Sequence, residues 1–264
     1  MHKAKYIKLG NISFHYEVIG QGLPLIFLNG LGMTLRDWEF QTAYFSKDYR
    51  VVTFDFRGQG FSDRPPGPYS VSLFCEDAAR LLRAIDAWPA HVVGLSMGGM
   101  IAFQMAVSHP ELLRSMVIVN SGPELILRTW TQKFEFLKRT MIVRFLGMRK
   151  MAEILACRLF PENRQKALRR EMLKRWGLND KKAYNDTLRA LAGWSVSEHL
   201  GGIACPTLVI SADRDYSPVS YKLSFVNKMP RAEMAIISNS RHATPLDQPE
   251  RFNELVADFL NRFS

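Results

Sequence analysis

The stretch HVVGLSMGGMIAF, residues 91–103, changes character half-way along. Residues 91–95 read as a short buried strand, and from Met97 onward the pattern is that of a helix with small residues on one side. The polar Ser96 stands at the junction, framed by Gly94 and Gly98. In the simplest case such a serine is a helix N-cap. The sharper reading is a strained turn that projects one hydroxyl above the carboxyl end of the strand. There the glycines leave room, and the N-terminal N–H groups of the following helix point at the same spot. An apolar strand before the turn and a small-residue helix after it favour the second reading.

The rest of the chain repeats the change of period. Further β-rich runs lie at residues 6–9, 12–18, 25–28, 51–54 and 116–120, and helical patterns cover 72–87 and 97–108. Strands alternating with helices predict a parallel sheet covered on both faces. Residues 124–198 break the rhythm: they are long, charged and helical in period, with aromatic residues such as Trp130, Phe145, Trp176 and Trp194 between the charges. The alternation resumes at 206–211 and 232–237 and ends in a helix over 249–263. The expected fold is therefore α/β, a mostly parallel eight-stranded sheet with helices on both faces and a helical lid inserted after the sixth strand. Residues 1–122 and 201–264 would form the core and residues 123–200 the lid.

Composition narrows the function classes. In 264 residues, 47% are hydrophobic and 23% charged, ordinary values for a globular domain. No apolar run is long enough to span a membrane, and the first residues, MHKAKYIKLGN, lack the apolar core of a secretory signal. Cys75, Cys157 and Cys205 lie far apart with no C-x-x-C, as expected of reduced, mostly buried thiols in a cytoplasmic protein. The net charge of +10 is concentrated: residues 123–200 hold 17 Lys or Arg against 8 Asp or Glu, an excess of 9. No nucleic-acid motif accompanies that charge. It is either a solvated helical face or a positive mouth for an anionic substrate.

An activated serine needs a base, and the base needs an orienting acid. His242 lies in the loop-like SNSRHATPLDQPERF, after the last strand and before the last helix. His2, His15, His91, His109 and His199 read more simply as surface or packing residues. The acid belongs on the loop after PTLVIS, where Asp213 and Asp215 compete in ADRDYSP. Asp215, deeper in the loop, is favoured over Asp213. The chain order is then Ser96, Asp215, His242.

These segments together resemble the α/β-hydrolase fold superfamily over essentially the whole chain. DFRGQGFSDRP at 55–65 is similar to the family's D-x-R-G-x-G-x-S loop, and LIFLNGLG at 25–32 stands where members carry His-Gly after the third strand. Asn29 replaces that histidine, and Ala212 stands where glycine is frequent. The resemblance implies an oxyanion hole from the backbone N–H groups of Met97 and Leu31. Asp55 and Arg57 would bind loops structurally. Asn29, Trp38, Trp130 and Trp194 are the candidate pocket residues.

A serine at the turn argues against the branches of this fold that use aspartate there. The expected activity is hydrolysis of a small-molecule ester, thioester or lactone through an acyl-enzyme on Ser96. No metal or organic cofactor is implied, and oligomeric state is not readable. Carbon–carbon bond hydrolysis, haloperoxidase-like activity and a receptor or scaffold role are the alternatives within the same fold.

Overall fold

The computed structural model describes residues 5–264; His2 lies outside the described residues. Eight strands form one sheet: β1 (Lys5–Leu9), β2 (Ile12–Ile19), β3 (Leu23–Leu28), β4 (Tyr49–Phe54), β5 (Ala90–Leu95), β6 (Leu113–Val119), β7 (Thr207–Ala212) and β8 (Ala232–Ile237). Their spatial order is β1-β2-β4-β3-β5-β6-β7-β8. β1 with β2 and β2 with β4 are antiparallel, and every other neighbouring pair is parallel. The α/β class, the strand count and the helical insertion after the sixth strand are as the sequence predicts.

β5 shows why the centre of the sheet was legible. All six of its residues are buried, as expected of a parallel strand covered on both faces. One face carries α2 (Val71–Ala84), α3 (Met97–Ser108) and α7 (Val219–Val226), which pack Phe74, Ile101, Phe103 and Phe225 against Val92 and Ile118. The other carries α1 (Glu39–Phe45) and α9 (Pro249–Leu260), whose Phe45, Phe252 and Val256 meet Phe27, Val93 and Val117. Ser70 caps α2 by accepting from Leu73 N–H. That helix ends earlier than its apolar pattern suggested, because Asp86 turns to φ +50°.

Between β6 and β7 the chain runs through α4 (Trp130–Leu159), α5 (Lys166–Trp176) and α6 (Lys181–Leu191). Gly147, at φ +78°, breaks α4 into two segments. The insertion leaves and returns through a narrow neck. Val196 N–H donates to Pro123 O at 2.8 Å, Leu125 N–H to Trp194 O at 2.9 Å and Gly193 N–H to Leu125 O at 2.9 Å. Its docking is polar as well as apolar. Asn179 Nδ2 donates to Gly32 O at 2.7 Å, and Trp176 Nε1 donates to the buried Asp37 Oδ2 at 3.0 Å. At the opposite side Gln165 Nε2 donates to Asp247 Oδ1 at 2.6 Å. The three helices are thus tied to the loop after β3 and to the short helix α8 (Thr244–Asp247) beyond β8.

One expectation is corrected by packing. Cys157 is exposed rather than buried, while Cys75 is buried and Cys205 half-buried. Burial pushes the Cys75 and Cys205 thiols up to about 12 and about 11, so neither offers a thiolate near neutral pH. Among the described residues no helix is long and apolar enough to cross a membrane.

Candidate active site

The turn between β5 and α3 places Ser96 at φ +55°, ψ −114°, a conformation that costs free energy in any residue with a Cβ. The neighbouring glycines are steric necessities. A Cβ on Gly94 would lie 2.3 Å from Gly98 O, and one on Gly98 would lie 2.0 Å from Leu28 O. The first turn of α3 therefore presses directly on the end of β3. Ser121 Oγ holds the turn from the other side, donating to Ser96 O at 2.6 Å. Ser96 itself stays partly accessible and lines a cavity of about 530 Å³.

Asp215 and His242 line the same cavity. His242 Nδ1 meets Asp215 Oδ1 at 2.5 Å, a charge-assisted bond that fixes the ring's orientation. Asp213 lies elsewhere: it is exposed and accepts from Asn239 N–H and Ser240 N–H at 2.9 and 3.0 Å, bracing the loop that carries His242. Of the two competing acids only Asp215 contacts the imidazole. Leu31 lines the cavity, and Met97 is the first residue of α3. Among the described residues no turn or side-chain acceptor takes up the N–H of either.

Several residues in this arrangement had no signal in the sequence. Lys222 is fully buried, and its Nζ donates to Asp215 Oδ2, to Ser217 O at 2.7 Å and to Ser217 Oγ at 2.7 Å. Burial alone would raise the Asp215 carboxyl. The hydrogen bonds and charges of His242 and Lys222 outweigh it and hold the group well below the usual carboxylate range. Asn120, at φ +46° after β6, donates Nδ2 to His242 O at 2.9 Å and to Thr244 Oγ1 at 2.7 Å. Its Oδ1 accepts from Ala212 N–H at 2.7 Å, so one amide joins the ends of β6 and β7 to the histidine loop. Tyr216 stacks on the His242 ring with centroids 4.3 Å apart.

The four candidate pocket residues do not line the cavity. Asn29 and Trp38 are fully buried: Trp38 Nε1 donates to Asn29 Oδ1 at 2.8 Å, and Asn29 Nδ2 donates to Phe54 O at 2.9 Å. With both ends of its amide engaged, Asn29 braces the loop bearing Leu31 from behind. Trp130, 85% exposed, points outward on the first turn of α4 under Lys133 Nζ. Trp194 is half-buried at the neck and donates Nε1 to Gln104 Oε1 at 2.8 Å. The insertion lines the cavity instead with Met148, Leu155, Leu188, Tyr184 and Trp176, and with the polar Arg128, Gln132 and Arg139. Asp55 is structural as expected, accepting from Leu35 N–H at 2.8 Å, Phe61 N–H at 3.0 Å and His15 Nδ1 at 2.7 Å. Arg57 makes a bidentate pair with Asp77, both contacts at 2.5 Å.

Residues 24–152 match the family described as alpha/beta hydrolase fold. The chain is 28% identical over 266 residues to 3-oxoadipate enol-lactonase 2 of Acinetobacter baylyi, covering 96% of this chain and 95% of that one. It is 26% identical over 273 residues to the (E)-2-((N-methylformamido)methylene)succinate hydrolase of the same organism, covering 95% of each. The crystal structure of an enol-lactonase from Burkholderia xenovorans superposes with a TM-score of 0.89 at 24% identity, over 97% of this chain and all of that one.

The strained turn makes a prediction about stability. Ser96→Ala keeps the Cβ and its strain, whereas Ser96→Gly removes both. The glycine variant is expected to be more stable than the alanine variant by about 1 kcal/mol in urea or thermal unfolding. Equal stabilities, or a more stable alanine variant, would show that the turn is unstrained.

Proposed function

Because the chain belongs to the α/β-hydrolase fold superfamily, we propose that it is a serine hydrolase that opens a small ester, thioester or lactone through an acyl-enzyme on Ser96. The observation that carries the reading is the convergence of a strained, accessible Ser96 with a His242–Asp215 pair in one cavity. His242 Nε2 takes the proton from Ser96 Oγ as the oxygen attacks the carbonyl. The N–H groups of Leu31 and Met97 receive the oxyanion. Collapse of the tetrahedral adduct passes the proton from His242 to the leaving alkoxide or thiolate. Water then repeats the sequence on the acyl-enzyme, and the acid product departs.

Asp215 stays ionised throughout and stabilises the imidazolium that forms in each step. Lys222 acts on the opposite oxygen of the same carboxylate and tempers that stabilisation. The lid role of residues 123–200 is part of the proposal. It is supported by the insertion's docking on both the Leu31 loop and the helix after His242. The lactonase relatives favour a lactone or ester as substrate.

Kinetics of four variants on a simple ester test the assignment. Ser96→Ala is expected to lose at least ~10³-fold in kcat/KM, and Asp215→Asn up to ~10⁴-fold in kcat. Asp213→Asn is expected to leave kcat within a few fold, because its carboxylate braces a loop and does not touch the imidazole. A reversed ranking of the two aspartates, or a Ser96→Ala enzyme that keeps its rate, would refute the assignment.

The fourth variant, Lys222→Met, tests the electrostatics. Facing His242 are Asp215, the Tyr216 ring and, through Asp215, the Lys222 ammonium; Arg158 sits over the far side of Tyr216. Removing the Lys222 cation favours the protonated imidazole, so the base remains protonated to higher pH. The acid limb of kcat/KM is expected to move to higher pH, with matched circular dichroism showing that the variant is folded. A limb that stays in place or moves to lower pH would show that Lys222 does not act on the base.

A further inference from the structure

The charged side chains lining the cavity, among the described residues, are Glu124, Arg128, Arg139 and Asp215, besides His242. Arg128 pairs with Glu124 at 2.6 Å, and Asp215 is matched by Lys222. Arg139 has no carboxylate within ion-pair distance among the described residues. Its guanidinium instead donates Nε and Nη2 to one acceptor, the hydroxyl of Tyr184. Tyr184 is 3% exposed, and with its oxygen accepting from Arg139 its own O–H proton has no acceptor among the described residues. A buried hydroxyl left with an unused donor costs free energy, and a guanidinium beside it with Nη1 free adds a positive charge. Both line the cavity that holds Ser96.

The pair is held in place near the reacting groups. Arg139 comes from α4 and Tyr184 from α6, and the Tyr184 ring packs so closely on Gly32 that a Cβ there would lie 2.9 Å from Tyr184 Cε2. Gly32 directly follows Leu31, the proposed oxyanion donor. On the other side, the Arg139 charge reaches the Tyr216 phenol, whose ring stacks on His242. A positive donor pair on two residues that line a mostly aliphatic cavity, with one O–H and guanidinium N–H groups left without acceptors among the described residues, is chemically matched to a carboxylate.

We propose that Arg139 and Tyr184 form a carboxylate-binding subsite, so that the preferred substrates are esters or lactones bearing a second, ionised carboxyl group remote from the reacting carbonyl. This deepens the serine-hydrolase reading and rests on it for turnover. The carboxylate of the substrate accepts from the Tyr184 O–H and from Arg139, while the aliphatic wall covers the carbon chain. The bulk of the lid's positive charge lies outside the cavity; only Arg128 and Arg139 of its Lys and Arg side chains line it. Selectivity therefore resides in one residue pair rather than in the diffuse field.

Monomethyl succinate, glutarate and adipate, each compared with the neutral methyl ester of equal chain length, provide the test by proton release. The wild-type enzyme is expected to show a larger kcat/KM for the carboxylate ester in at least one length-matched pair. Arg139→Gln is expected to lower that anionic-to-neutral ratio roughly 10- to 100-fold, chiefly through KM, and Tyr184→Phe to lower it less. Lys133→Gln, on the exposed face of α4, should leave the ratio unchanged. A wild-type ratio of one or below would overturn the subsite, as would a ratio that falls with salt but not with Arg139→Gln. Calorimetry separates this from the acyl-enzyme reading. Adipate is expected to bind Ser96→Ala and to bind Ser96→Ala/Arg139→Gln at least roughly tenfold more weakly. Equal affinities there would refute the subsite even if Ser96 proved to be the nucleophile.

Discussion

The contact on which the site depends is backbone against backbone: the first turn of α3 rests on the carbonyl of Leu28 at the end of β3, with Gly98 as the point of approach. A methyl group there would sit 2.0 Å from that oxygen. Because the helix cannot retreat without losing its packing on β5 and β6, the turn before it is forced into the left-handed region at Ser96. The same contact sets the Ser96 hydroxyl beside the loop that follows β3, where a Cβ added to Gly30 would lie 3.6 Å from the Ser96 Cβ. Proposed nucleophile and proposed oxyanion donors are adjacent because two backbones touch.

Around that contact three buried carboxylates are each matched by donors, and one guanidinium lining the cavity is matched by no carboxylate among the described residues. Asp55, fully buried, takes three donors and fastens the loops after β3 and β4 to β2. Asp37, raised by burial but opposed by donors from Thr34, Trp176 and Arg175, fastens the insertion to the loop after β3. Asp215 is shared between His242 and Lys222, so a full carboxylate is kept in a site that burial alone would neutralise. Arg139 alone among the cavity's charged groups is left with a neutral partner. Asp37, Asp55 and Asp215 are each met by donors, and under the proposal this guanidinium waits for a carboxylate that arrives with the substrate.

Much of the fold could be read from the sequence because it is written in local pattern. The apolar runs of β3, β5 and β6 and the small-residue face of α3 carry their own period, so strand order along the chain and the place of the insertion followed. Ser96, His242 and Asp215 were legible because each sits at a strand end within a recognisable run of turn residues. What escaped depends on which way a side chain turns after packing. Trp130 and Trp194 looked like pocket walls, but one faces solvent and the other holds the neck. Lys222 in VSYKLSFV has the look of a surface lysine, and nothing in the pattern says that its ammonium folds back under Asp215. Arg139 and Tyr184 lie 45 residues apart and meet only because α4 packs on α6.

The proposed mechanism stands on Ser96 as the residue that carries the acyl group. Intact-protein mass spectrometry on samples quenched in acid during turnover of a slowly released ester tests that directly. The expected result is a transient species heavier by the acyl group, mapped after digestion to the peptide containing Ser96 and absent from Ser96→Ala. Product accumulating from an enzyme that stays unmodified at every time point, or an adduct on a different residue, would contradict it.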